Sequence, residues 1–198
     1  MDLEVGGTVE DQGDAFGDLG TLLILIVILV YIVMATQFES LKFPFIIMFT
    51  IPFAFTGVFL ALWMTSTPLS LIALIGAIML VGIVTKNGIV MVDYMNLLIE
   101  RGSGVFDAVI AGGKSRLRPV LMTSFTTILG MLPLAIGTGA GSETWQPMGI
   151  AVIGGLTFST ILTLFIVPVL YSILVNRSQR KEREKLARLS AEHQASKH

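Results

Sequence analysis

Five stretches of this chain are apolar on every side instead of along one stripe: residues 18–37, 44–65, 69–97, 119–137 and 147–175. A helix on a water-soluble domain keeps a polar face, so the pattern points to a different solvent. Crossing the hydrocarbon of a bilayer takes about 20 such residues, which each stretch provides. The pattern predicts an all-α integral membrane protein, a five-helix transmembrane bundle whose mostly short links make consecutive helices antiparallel. Around the spans lie a polar stub over 1–17, a link over 98–118 and a charged tail over 176–198. In the link, Ser103 is placed to cap a short helix with Asp107 in its first turn and Val105, Ala108, Val109 and Ala111 as an apolar stripe. Gly112–Gly113 would end that helix, which would lie along the membrane interface, and Pro119 would open the next span.

The small residues Gly57-xxx-Ala61 and Ala151-xxx-Gly155-xxx-Ser159 are spaced for close helix approach. Pro52, Pro133 and Pro168 are expected to kink their spans, and Trp63 and Trp145 to sit at a membrane–water interface. The tail reads as a solvated helix with Arg180–Glu184 and Glu184–Arg188 as pairs one turn apart. Its two histidines, His193 and His198, are too isolated to suggest a metal site.

Composition agrees with a membrane solvent. The chain is 54% hydrophobic and 14% charged, against a usual charged share of about 25%, and its mean hydropathy is +0.82. It has no cysteine, which excludes disulfides and thiolate metal sites. Met1–Gly20 is acidic and lacks the basic start of a cleavable signal. The 13 Lys and Arg residues are placed unevenly. Lys42, Arg101, Lys114, Arg116, Arg118 and the tail residues all fall on one side of the five-span arrangement, with Lys86 the single exception. The positive-inside rule therefore predicts a cytoplasmic C-terminus and a periplasmic N-terminus. Lipid is the expected surround, and no nucleic-acid partner is expected.

Lys86 is the feature that calls for chemistry. It sits near the middle of the third span, about eleven residues from the polar end, or roughly 16 Å at 1.5 Å per residue. Snorkelling serves lysines near helix ends. An ammonium at bilayer depth costs about 2.5 to 3.5 kcal/mol on insertion scales, and such residues belong to ion or substrate pathways. Asn87 follows it, and Asp93 comes seven residues later on the same helix face. The fourth span opens with Thr123, Ser124, Thr126 and Thr127, whose hydroxyls can accept hydrogen bonds or relay protons. The bland alternative for any of them is a bond back to its own helix. No carboxylate lies at the depth of Lys86, so a partner from elsewhere is implied.

Four ordered blocks carry a family resemblance: YIVMATQFESLKFP (31–44), VGIVTKNGIVMVDY (81–94), RLRPVLMTSFTTILGMLPLAIGTGAGSE (116–143) and FIVPVLY (165–171). The chain resembles the C-terminal transmembrane portion, spans eight to twelve, of the inner-membrane subunit of a resistance–nodulation–division (RND) efflux pump. The hydrophobe/amphiphile type is the closer likeness, since heavy-metal members look different at the Lys-Asn position. The resemblance implies one part of a twelve-span transporter, homotrimeric in the full pump, that uses inward proton flow to export drugs, dyes or detergents. It gives Lys86 and Thr123 the lysine and threonine of an intramembrane proton relay, with Arg116 at its cytoplasmic entrance and Asn87 and Asp93 as support. The relay's aspartate pair lies in the remainder of the subunit. A periplasmic adaptor and an outer-membrane channel would dock through domains outside this sequence. No cofactor is implied beyond the coupling proton, and the chain alone is not expected to transport.

Two other classes are open to a chain of this pattern. One is a small five-helix assembly factor or channel, in which Lys86 pairs with Asp93 of a second copy. The other is an intramembrane enzyme, which the absence of any Gly-x-Ser-x-Gly, His-Glu-x-x-His or paired-aspartate motif argues against.

Overall fold

A computed structural model of the protein describes the backbone of residues 2–137 and 141–195 and the side chains of residues 11–137 and 141–177. The described residues form six helices: α1 (Asp2–Phe38), α2 (Lys42–Met48), α3 (Thr50–Met64), α4 (Leu71–Glu100), α5 (Val105–Ile136) and α6 (Ser142–Ala195). Five segments are long and apolar enough to cross a membrane, with α2 and α3 together making the second. The protein is a multi-pass membrane protein.

The break inside the second span follows from Pro52. Its ring removes the N–H that would bond the carbonyl four residues back and crowds that carbonyl. The helix is interrupted at Phe49, where the Thr50 hydroxyl donates to the Ile47 carbonyl at 2.6 Å. Pro119, Pro133, Pro147 and Pro168 remain inside continuous helices.

The link over 98–118 differs from the sequence expectation. There is no separate interfacial helix: α5 runs unbroken from Val105 through the fourth span, and Gly104, not Ser103, stands at its N-cap. Gly112 and Gly113 continue the helix because their role is contact. A Cβ at Gly112 would stand 2.6 Å from Met95 Cγ, so the glycine lets α5 close on α4. The actual end of α5 is Gly137, in the left-handed conformation at φ 69° that glycine adopts without a steric penalty. The Gln146 side-chain amide then donates to the Ala135 carbonyl at 3.0 Å, satisfying one of the last free carbonyls. The tail pairs Arg180–Glu184 and Glu184–Arg188, with His193 and His198, lie outside the residues whose side chains are described.

Packing centres on α6, which touches α2, α3, α4 and α5, whereas among the described residues the α1 backbone comes close to α2 and α4. One core joins Ala54, Val58 and Leu62 of α3 to Ala77, Leu80 and Val84 of α4 and Ala151 and Leu156 of α6. The other joins Met34, Ile46 and Ile47 to Met91, Val92, Met95, Val167 and Tyr171. The α3–α6 seam uses Gly57, Ala61 and Gly155 of the expected small residues and also Gly154, which the motif did not include: Gly57 lies against Gly154 and Gly155, and Gly154 against Ala61.

Candidate functional site

Helix α4 presents two faces. Its inward face carries Ala73, Ala77, Leu80, Val84, Gly88, Met91 and Met95, all buried. Its outward face carries Ile75, Met79, Gly82, Lys86, Asp93, Leu97 and Glu100, all exposed. The steps along the outward face are three or four residues except for the seven from Lys86 to Asp93, the spacing of one side of a helix. Lys86 thus points away from the interior of these five helices, onto a face lined by Met79 and the open space at Gly82. Asp93 shares the face two turns on and helps line a cavity of about 300 Å³ with Gln37, Phe38, Glu39, Asn96, Leu97 and Glu100. Asn87 is half-buried at the flank.

Two contacts fix the register between α4 and α5. The Arg116 guanidinium lies 4.7 Å from the centroid of the Tyr94 ring, a cation–π arrangement, and Gly112 abuts Met95. Lys86 is eight residues before Tyr94, and Thr123 is seven after Arg116. Because the helices run antiparallel, Lys86 and Thr123 lie at the same depth. Thr123 is exposed, as are its neighbours Met122, Phe125 and Thr126. The structure therefore brings the two sequence-predicted residues to one level and leaves both uncovered. Arg116 is half-buried seven residues nearer the start of α5 and lies over Tyr94 of α4.

Hydroxyl partners separate residues that look alike in sequence. Thr123 Oγ1 donates to the carbonyls of Pro119 and Val120 at 3.2 and 3.0 Å. Thr126 and Thr127 donate to Met122 and Thr123 carbonyls at 2.8 and 2.9 Å. Ser124 does not bond back: its Oγ lies 2.9 Å from Thr160 Oγ1 of α6, and both residues are buried. Sequence reasoning missed Thr160 altogether and grouped Ser124 with its neighbours. It also missed the bond from the Tyr171 hydroxyl to Asn96, whose one signal was the conspicuous FIVPVLY block.

This arrangement of spans matches known transporters. Residues 1–175 match the family model described as the AcrB/AcrD/AcrF family. The chain belongs to that family of RND transporters. It is 39% identical over 177 residues to the cobalt-zinc-cadmium resistance protein CzcA of Cupriavidus metallidurans, covering 89% of this chain and 17% of the relative. It is 42% identical over 163 residues to the multidrug resistance protein MdtC of Erwinia tasmaniensis, covering 82% of this chain and 16% of the relative. The swarming motility protein SwrC of Bacillus subtilis is 37% identical over 182 residues, with 91% and 17% covered. A solved heavy metal efflux pump superposes with a TM-score of 0.77 at 32% identity over 84% of this chain and 17% of that one. The RND segment described here thus spans about a sixth of the length of those relatives.

Proposed function

We propose that this segment supplies the lysine and threonine of an intramembrane proton relay in a bacterial inner-membrane efflux pump for hydrophobic and amphiphilic compounds. The observation that carries the reading is an ammonium group, Lys86, on an uncovered face of membrane-spanning helices with the Thr123 hydroxyl at its depth. A charge in hydrocarbon is tolerated where a partner compensates it, so the face is a docking surface for a carboxylate-bearing helix from the remainder of the subunit. With that carboxylate ionised, the ammonium pairs with it. A proton arriving on the carboxylate removes the pairing and frees Lys86 to turn toward another acceptor, a two-state electrostatic switch. Thr123 offers a hydroxyl beside that movement, and Arg116 and Asp93 lie toward the basic end, where the proton would leave.

The same reading makes the working unit a homotrimer with a periplasmic adaptor and an outer-membrane channel. The N-terminus is periplasmic and the C-terminus cytoplasmic. Cysteine labelling at Gly13, Ser103, Gly141 and Ser190 is expected to report outside, inside, outside and inside, and a cytoplasmic Gly141 would break the topology. A second reading, export of metal cations, is favoured by the likeness to a cobalt-zinc-cadmium resistance protein. Efflux of dyes against efflux of divalent cations in the same cells separates the two.

The decisive experiment is Lys86→Met in the assembled subunit, which keeps the apolar stem and removes the charge. Insertion and trimer formation should persist while export is lost. Lys86→Arg should also fail, because a planar, permanently charged guanidinium does not replace a mobile ammonium. Near-normal efflux by a well-expressed Lys86→Met subunit overturns the assignment.

A further inference from the structure

Helix α5 meets the rest of the protein along a narrow stripe. Gly112, Val120 and Ser124 are buried, and Arg116, Ile128 and Ala135 are half-buried, while residues on the other side are exposed. In water such a stripe would set the rotation of the helix by itself. In lipid the exposed face is as well solvated as the packed one, and apolar burial no longer selects which way the helix turns. Polar contacts then weigh more. Three hold α5 at three heights: Arg116 over Tyr94, Gln146 to the Ala135 carbonyl, and Ser124 to Thr160.

The middle contact stands at the depth of Lys86. Ser124 Oγ and Thr160 Oγ1 are 2.9 Å apart and buried, and Ser124 is the residue after Thr123. Successive helical residues are turned by about 100°. With Ser124 drawn toward α6, Thr123 is turned to the side of α5 on which Gly112 and Arg116 meet α4, the helix that carries Lys86. A serine in this setting has an alternative, since its hydroxyl can bond a carbonyl one turn back on its own helix, as Thr123, Thr126 and Thr127 do. The cross-helix bond is therefore a choice of rotation more than a requirement of folding.

We propose that Ser124 and Thr160 are positioning residues: their hydrogen bond sets the rotation of α5 and so aims Thr123 at the face of Lys86. The functional consequence rests on the relay reading above; the geometric one does not. The bond is a weak one in lipid because its members have other acceptors, so its loss blurs the rotation instead of unfolding the bundle.

The test separates the two. The chain has no cysteine, so nitroxide labels on Gly82→Cys of α4 and Met122→Cys of α5, both exposed positions, report the relative setting of the helices by double electron–electron resonance in the full chain in bilayers. Ser124→Ala and Thr160→Val should each broaden or shift the distance distribution, and Ser124→Thr should preserve it. Ser159→Ala deletes an equally buried hydroxyl that bonds only its own helix, to the Leu156 carbonyl, and should change nothing. Thr160→Val approaches the same bond from α6 and keeps the test open where Ser124→Ala fails to insert. An unchanged distribution in a folded Ser124→Ala or Thr160→Val chain overturns the proposal. In the assembled subunit, Ser124→Ala should lower maximal export several-fold with little change in KM. It should have no added effect beside Thr123→Ala, as expected of coupled residues. If the distances move and export does not, the positioning stands and the relay role of Thr123 falls.

Discussion

The seam between α3 and α6 and the outward face of α4 are built from similar residues and do opposite things. At the seam, Gly57 would place a Cβ 2.8 Å from the Gly154 carbonyl oxygen, and Gly155 would place one 2.8 Å from Val58 Cγ2. On the outward face, Gly82 has nothing within 4 Å. The seam is filled to backbone contact, which in lipid is how helices hold together without a hydrophobic driving force. The outward face holds the mid-span charge, with open space at Gly82 beside it. Close packing characterises the seam, and an exposed charge characterises the outward face.

The comparison can be broken first at the seam. Gly155→Val puts a branched side chain where Val58, Leu80 and the Ala54 carbonyl already stand. It should destabilise the bundle by about 1–3 kcal/mol, the usual cost of overpacking, measured by detergent unfolding of the reconstituted chain. An unchanged transition would mean the seam is looser than described. Lys86→Met in the same assay should leave the transition within about 0.5 kcal/mol, as expected of an exposed position. Its effect belongs to export alone.

A smaller effect sharpens the outward face. Thr123→Ala removes a hydroxyl and Thr123→Ser only a methyl group. In the assembled subunit Ala should reduce export several-fold and Ser should largely preserve it, while Thr126→Ala, a hydroxyl bonded back in the same manner, should behave like wild type. Equal behaviour of Thr123→Ala and wild type removes Thr123 from the relay. The smallest effect is at Gly82. In this chain alone Gly82→Ala should be neutral or stabilising by up to about 1 kcal/mol, because alanine is the better helix former and the space is open. In the assembled subunit the same substitution should weaken export where a covering helix approaches closely. A difference between the two settings measures the cover that Lys86 requires.

Much of this protein was legible in the order of its residues, and the physics says which part. Span number, the presence of a mid-span ammonium and the small-residue motif at Ala151 and Gly155 follow from length, solvent transfer and side-chain size, all local properties. Lys86 and Asp93 share a face because seven residues make about two turns, and that needs no tertiary knowledge. What the order of residues could not decide was rotation. An all-round apolar helix has no hydrophobic period to say which side faces in, so it could not show that Lys86 turns outward. Nor could it show that Ser124 alone among its neighbouring hydroxyls reaches α6. Gly112–Gly113 illustrates the same limit: glycine ends helices and also lets them touch, and only the arrival of Met95 across the gap selected contact over termination. In lipid, where burial does not choose a face, partners do.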